Sequence, residues 1–252
     1  GALAASKLHI PLAHVEAGLR SFNMKMPEEV NRILTDRISS VLFCPTSTAI
    51  NNLENEGFGK LENEVVQVGD VMYDAALFYA EKSRKPDFDV PENFILTTCH
   101  RAENTDDPKK LANIINGLNE IHQDTPVILP LHPRTKNYIA KYDLKPEFQL
   151  VDPVGYLEMV YLLQNCSMVM TDSGGLQKEA FFFKKPCITL RDETEWVELI
   201  EHKVNYLCHV ANEGEIVSLF EKVKGEEIDF EINLYGKGDT SELIVQDLLG
   251  RK

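Results

Sequence analysis

Residues 14–29, HVEAGLRSFNMKMPEE, gather three carboxylates, Glu16, Glu28 and Glu29, close to His14 and Arg20. Carboxylates held near one another can push one pKa upward, which suits a pair that takes and gives a proton. The stretch between them follows neither a clean helical nor a clean strand period. A solvated loop rim is the competing reading, and the residue types alone leave both open.

Three more clusters stand just past apolar runs. TTCHRAEN places His100 and Arg101 there, LPLHPRTK places His132, Arg134 and Lys136, and MTDSGGLQKEA places Asp172, Ser173, Gly174 and Gly175 at a strand-to-helix turn. Glycines let the backbone approach a ligand, and a helix start offers unpaired N–H groups and a positive dipole. Ser173 adds a hydroxyl, and Glu179, further into the helix, can accept hydrogen bonds from a ribose diol. A nucleotide diphosphate fits that set. So does a plain helix cap with glycines for tight packing. A lone histidine is by default a satisfied core residue, but His100 sits at a strand end beside Arg, Glu and Asn, which favours a site role. HPRTK reads equally well as a solvated charge run.

These clusters need elements to hold them. Strand-length apolar runs alternate with helical-period runs throughout. Strands are expected over 9–15, 41–45, 64–70, 94–100, 126–132, 148–152, 167–172, 186–190 and 205–209. Helices are expected over 27–39, from Thr46 to Gly57, over 71–83, 107–122, 156–165, 174–183, from about Trp196, over 213–224, and through TSELIVQDLL. Pro27 suits the first turn of its helix, and Val30, Ile33, Leu34, Arg37 and Ile38 share one face. Thr46 and Asp107 are candidate N-caps. RKPDFDVPEN, 84–93, reads as a linker or loop. Strands apolar end to end, alternating with amphipathic helices, mean parallel sheets covered on both faces. The fold class is therefore α/β with two Rossmann-like doubly wound units. The expected division is 1–69, 70–234 and a C-terminal segment 235–252. ALAASK reads as the end of a helix with no N-cap, so the first unit is expected to be truncated at its N-terminus. Ligands of such sheets bind beyond the carboxyl ends of the strands, where strand order reverses.

The bulk properties narrow the function classes. The chain has 252 residues, 43% of them apolar, and a formal charge of −14 from 26 basic and 40 acidic residues. That balance argues against a nucleic-acid or anionic-membrane partner, which needs a basic footprint. The five cysteines (Cys44, Cys99, Cys166, Cys187, Cys208) form no C-x-x-C and read as buried, reduced thiols of a cytoplasmic protein. No metal-ligand cluster is evident, and no apolar run reaches membrane-spanning length.

Taken in order, HVEAGLRS…PEEVNR, CHRAEN, LHPRTK, DSGGLQKEA, RDETEWVE and YGKGDTSELIVQDLL resemble the non-hydrolysing UDP-N-acetylglucosamine 2-epimerases along the full chain. The resemblance implies a GT-B-type fold, with the active site in the cleft between two domains and the last helix crossing back to the first. It implies a homodimer for the full-length protein, no cofactor, and a role in cell-surface polysaccharide biosynthesis. The implied reaction converts UDP-GlcNAc to UDP-ManNAc by eliminating UDP across carbons 1 and 2 and adding it back. In that scheme Glu16 and Glu28 match the acid–base carboxylates, and His100 matches the histidine beside the phosphates. Ser173, Gly174 and Gly175 match the diphosphate loop, Glu179 the ribose ligand, and Val154 and Met159 the uracil pocket. Arg20, Arg101 and His132 join the substrate-binding set. Family members often carry T-E-R-P-E, whose Arg helps bind UDP; here Thr194 and Glu195 are followed by Trp196, and Arg191 is the candidate replacement. That departure raises a related substrate, a UDP-diacetamido-uronic acid. The family's glycine-rich first strand and its G-D-T aspartate are absent from these residues, so the chain by itself is expected to bind UDP without turning over. A hydrolysing relative, a GT-B glycosyltransferase and a non-catalytic UDP-binding fragment are the other readings. The paired carboxylates count against the glycosyltransferase.

Overall fold

The computed structural model describes residues 1–251. The chain forms two compact units, Gly1–Leu77 together with the segment from Ile232 onward, and Phe78–Glu231. The division at Leu77 falls inside a helix, past the 69/70 boundary read from the sequence, because that helix continues the first unit's last strand.

The first unit runs α1 (Ala2–Lys7), β1 (Ala13–Val15), α2 (Pro27–Ile38), β2 (Val41–Cys44), α3 (Ser47–Asn55), β3 (Glu64–Gln67) and α4 (Val71–Ala80). Its three strands are parallel in the order β1-β2-β3, with Ala13 opposite Val41 and Val41 opposite Glu64. The central strand β2 is buried at all positions, which explains its apolar run. Thr46 caps α3, its hydroxyl accepting from the Ala49 N–H at 3.2 Å. Strand β1 is shorter than expected. His9 takes a left-handed φ of 56° and Pro11 lacks an N–H, so pairing starts only at Ala13.

Helix α2 reverses the expected burial. Leu34 and Arg37 are exposed, and Val30, Ile33 and Ile38 are only half-buried; the residues it buries are Glu29 and Asp36. The reason is chemical: both carboxylates are saturated with donors from the 14–22 loop, so the polar face turns inward.

The second unit runs β4 (Ile95–Thr98), α5 (Ala102–Thr105), α6 (Pro108–His122), β5 (Val127–Pro130), α7 (Pro133–Lys141), β6 (Gln149–Val151), α8 (Tyr156–Asn165), β7 (Met168–Thr171), α9 (Gly174–Phe182), β8 (Cys187–Thr189), α10 (Val197–Glu201), β9 (Asn205–Leu207) and α11 (Glu215–Lys224). All six strands are parallel, in the order β6-β5-β4-β7-β8-β9. Alternate residues feed two cores. Ile95, Val127, Leu129, Met168 and Met170 join one with α6 and α11; Leu96, Ile128 and Val169 join the other with α8 and α9. Covering both faces is what makes the central strands buried and mostly apolar. The 84–93 stretch has no regular structure but is no free linker, since Phe88 and Val90 pack against the second core.

The last helix, α12 (Thr240–Gly250), belongs to the first unit. Asp74 of α4 holds its start, accepting from the Thr240 and Ser241 N–H groups at 3.1 and 2.6 Å, and the Thr240 hydroxyl donates to the Val68 carbonyl at 3.0 Å. All five cysteines are free and buried. Burial pushes the Cys44, Cys166, Cys187 and Cys208 thiols up to about 12. Among the described residues no helix is long and apolar enough to cross a membrane.

Candidate active site

In the second unit the strand order reverses between β4 and β7, so the loops leaving these strands splay apart and open a crevice at their carboxyl ends. A cavity of about 280 Å³ lies there. Seven residues singled out from the sequence line it: His100 after β4, His132 after β5, Val154 after β6, Met159 on α8, and Ser173, Gly175 and Glu179 around the start of α9. Its lining joins apolar residues (Val154, Met159, Leu176) to the polar ends of the strands.

Fully buried Asp172 organises the polar part. Its carboxylate accepts from the His100 N–H at 2.9 Å, the Arg101 N–H at 2.9 Å and Asn104 Nδ2 at 3.2 Å, and the His100 ring Nδ1 lies 3.5 Å away. The β4 and β7 loops are thus tied together, a role that D-S-G-G signals only if the aspartate is read along with the glycines. The His132 ring sits 5.5 Å from that of His100. His132 is the N-cap of α7, its Nδ1 accepting from the Arg134 N–H at 3.1 Å, so the neutral ring carries its hydrogen on Nε2. Arg134 itself pairs with Asp106 and with the Thr105 hydroxyl. Ser173 is the N-cap of α9 yet makes no side-chain cap, while its N–H donates to the Thr171 hydroxyl at 2.9 Å. The turn therefore keeps its helix-start donors and a hydroxyl for something else.

Glu179 is buried, and Tyr156 OH donates to its Oε1 at 2.9 Å. Burial raises its pKa above the usual carboxylate range, outweighing the Tyr156 hydrogen bond and the nearby Lys178 charge. The linkage sign follows. A carboxyl whose folded pKa is raised adds no penalty when protonated in both states, and destabilises the fold once pH exceeds its unfolded value. Glu179→Gln should melt higher than the parent protein at pH 8, and the gap should close by pH 4; thermal melts at both pH values decide it, and an equal or lower melting temperature at pH 8 sinks the claim.

Arg101, Gly174 and Arg191 lie beside this cavity rather than in its lining. Arg191 is buried, with Nη1 3.1 Å from Glu195 Oε2 and Nε 3.5 Å from Glu103. Burial pushes the Glu195 pKa up, but the Arg191 and Arg101 charges win, and it lies below the usual range. A Cβ on Gly174 would meet Glu195 Oε1 at 2.5 Å, so a larger residue there would have to displace this carboxylate from its pairing with Arg191.

In the first unit the 14–29 stretch is a tied loop. Arg20 is buried, pairing bidentately with Glu56 at 2.6 and 2.8 Å and with Asp36 at 2.7 Å. Burial works against its charge, but both carboxylates outweigh it and hold its pKa above the usual value. Asp36 also takes the His14 ring at 2.6 Å and the Gly18 N–H at 3.2 Å. Buried Glu29 accepts from the N–H groups of Ser21 and Phe22 at 3.0 and 2.9 Å. Of the three glutamates, Glu29 is thereby committed to the fold. Glu28 is exposed in the first turn of α2, and half-buried Glu16 follows β1 with a left-handed φ of 63°. A non-glycine residue held there costs on the order of 1 kcal/mol, and such strain concentrates at functional positions.

The family model described as UDP-N-acetylglucosamine 2-epimerase matches residues 1–249. The chain is 56% identical to the UDP-2,3-diacetamido-2,3-dideoxy-D-glucuronate 2-epimerase of Pseudomonas aeruginosa, over 98% of this chain and 70% of that protein. It is 42% identical to the UDP-N-acetylglucosamine 2-epimerase of Methanocaldococcus jannaschii, over 98% of this chain and 71% of that one. The crystal structure of the M. jannaschii enzyme in complex with UDP-GlcNAc and UDP superposes with a TM-score of 0.89, covering 99% of this chain and 72% of that one. The Neisseria meningitidis UDP-GlcNAc 2-epimerase bound to UDP-GlcNAc gives a TM-score of 0.85 at 30% identity, covering 99% and 72%. These likenesses establish the expected α/β fold class, two Rossmann-like units of the GT-B type. With a match through residue 249 and identities of this size, the chain belongs to the UDP-N-acetylglucosamine 2-epimerase family.

Proposed function

We propose that the protein is a UDP-sugar 2-epimerase whose second unit holds the nucleotide. The observation that carries this reading is the convergence of seven anticipated residues on one crevice at the strand-order reversal. In this reading the start of α9, with Ser173, Gly174 and Gly175, takes the diphosphate, with His100, Arg101 and His132 beside it and Arg191 behind. Glu179 accepts from the ribose hydroxyls, and Val154 and Met159 flank the uracil. Arg20 acts by holding the 14–20 loop.

The chemistry assigned to Glu16 and Glu28 is proton transfer at carbon 2 of the sugar. One carboxylate removes the carbon-2 proton. The electron pair forms the carbon 1–carbon 2 double bond as the bond from carbon 1 to the UDP oxygen breaks, leaving a 2-acetamidoglucal. UDP then adds back through the same oxygen, and a proton reaches the opposite face of carbon 2. No net oxidation occurs, so no redox cofactor is required.

The substrate has two readings. UDP-GlcNAc to UDP-ManNAc is the family's named reaction. The 56% identity to the P. aeruginosa enzyme supports the UDP-diacetamido-glucuronate instead. NMR of products from each substrate separates them. An epimer still bearing UDP supports the proposal, and release of free sugar refutes it. Binding gives an independent check. UDP should titrate into the chain by calorimetry, and Ser173→Leu should weaken it by about 1–3 kcal/mol through loss of a charge-assisted contact and the space it needs. A folded chain that does not bind UDP would end this reading.

A further inference from the structure

Trp196 follows Thr194 and Glu195 in the RDETEWVE stretch, and the structure gives it a definite task. It is the chain's single tryptophan, 5% exposed, in the loop between β8 and α10. Its indole Nε1–H donates to the Gly174 carbonyl oxygen at 2.9 Å in a buried hydrogen bond. Gly174 is the first residue of α9. Beyond the bond it accepts within the helix, the oxygen of the Gly174–Gly175 peptide is held by Trp196, and the N–H at the other end of that peptide belongs to the cavity-lining Gly175. Rotation of that peptide plane would swing the N–H of Gly175 with it, since the two groups lie on one rigid amide.

The indole is itself held. The Trp196 N–H donates to the Thr194 hydroxyl at 3.2 Å, and that hydroxyl donates to Gln177 Oε1 at 2.7 Å. The ring carries the ammonium of Lys178 4.1 Å from its centroid, on a side chain that is 0% exposed. A cation–π contact in such a desolvated place is stronger than at a surface. The Glu195 carboxylate occupies the space where a Cβ on Gly174 would stand, braced by Arg191. Two consecutive residues, one through a hydrogen bond and one through contact, thus clamp the residue that opens α9.

We infer that Trp196 is a positioning residue for the diphosphate turn, setting the orientation of the Gly174–Gly175 amide through its indole N–H rather than touching the nucleotide. The inference rests on the assignment of that turn to the diphosphate. It makes a prediction that a packing role does not: losing the N–H should weaken binding of the phosphates and spare the base and ribose.

The test compares UDP and uridine as probes on the parent chain and on Trp196→Phe, which keeps a ring over Lys178 and removes the donor. Because the chain has one tryptophan, benzothienylalanine incorporated at position 196 provides a near-isosteric second variant in which sulfur replaces the N–H. UDP affinity is read by calorimetry and uridine by displacement of UDP at millimolar concentration. Loss of one neutral hydrogen bond sets the scale, so UDP should bind about 3- to 10-fold more weakly in both variants, with uridine within twofold of the parent. UDP affinity unchanged in the benzothienylalanine protein overturns the inference, whatever happens to the melting temperature. Equal weakening of UDP and uridine also overturns it, because the indole would then support the whole cavity. A parent chain that fails to bind UDP strikes the functional assignment instead, before Trp196 is questioned.

Discussion

Glu16→Gln and Glu28→Gln should each lower turnover by about 100- to 10,000-fold in an active preparation of the enzyme, with little change in melting temperature. An amide keeps the shape and part of the hydrogen bonding but cannot carry the proton. Glu28 is exposed and Glu16 half-buried, so neither substitution opens a cavity. Glutamine also meets the same backbone demand as glutamate at the left-handed φ of position 16. The neighbouring Glu29→Gln is the control with the opposite signature. Its carboxylate is 0% exposed and holds the Ser21 and Phe22 N–H groups and the Ser21 hydroxyl, so this variant should lose stability. Exchange of the carbon-2 proton with deuterated water separates chemistry from binding. If Glu16 or Glu28 moves that proton, its Gln variant slows deuterium incorporation as much as epimerisation. Exchange at the parent rate in both variants removes them from the proton-transfer step.

Asp36→Ala should be the most damaging single change to the first unit. The carboxylate is fully buried and satisfies His14, the Gly18 N–H and the Arg20 guanidinium at once. Removing it leaves the Gly18 N–H unpaired and a buried cation with Glu56 as its remaining carboxylate. Breaking a buried ion pair from one side costs about 3–5 kcal/mol, a large part of a typical domain's stability. Gly18 adds to the effect, for it has a φ of 78° and a Cβ there would meet the Ala49 carbonyl oxygen at 2.4 Å, so the loop has no slack. Chemical denaturation gives the number. A midpoint within error of the parent protein would mean that Asp36 is dispensable to the loop.

The sequence by itself determined the α/β alternation, the parallel sheets and the crevice end of the second unit. Those features follow from periodicity: β4, β5 and β7 are mostly apolar, with threonines only toward the carboxyl ends of β4 and β7, because two helical layers cover them, and such sheets take ligands at their carboxyl ends. It also named the polar part of the crevice lining, His100, His132, Ser173, Gly175 and Glu179, since glycines, histidines and a serine just past apolar runs are visible without coordinates; Val154 and Met159 came from the family resemblance, and Thr98, Cys99, Pro130, Pro153 and Leu176 were not anticipated. It could not say which carboxylates of the 14–29 stretch are structural. Glu28 and Glu29 are adjacent and chemically identical, yet a helix points them about 100° apart, leaving one exposed and the other in a cage of N–H donors. The same limit hid the inward polar face of α2, where Asp36 is buried by partners 16 to 22 residues away that no period in the helix reveals. Likewise, Arg20 carried the charge of a substrate ligand but spends it on Glu56 and Asp36, and Trp196 reaches the glycine turn at the start of α9 only because β8 lies beside β7 in the sheet. Local patterns record what a residue offers; only the fold decides which neighbour takes it, because hydrogen bonds and ion pairs are made across distances that chain order does not encode.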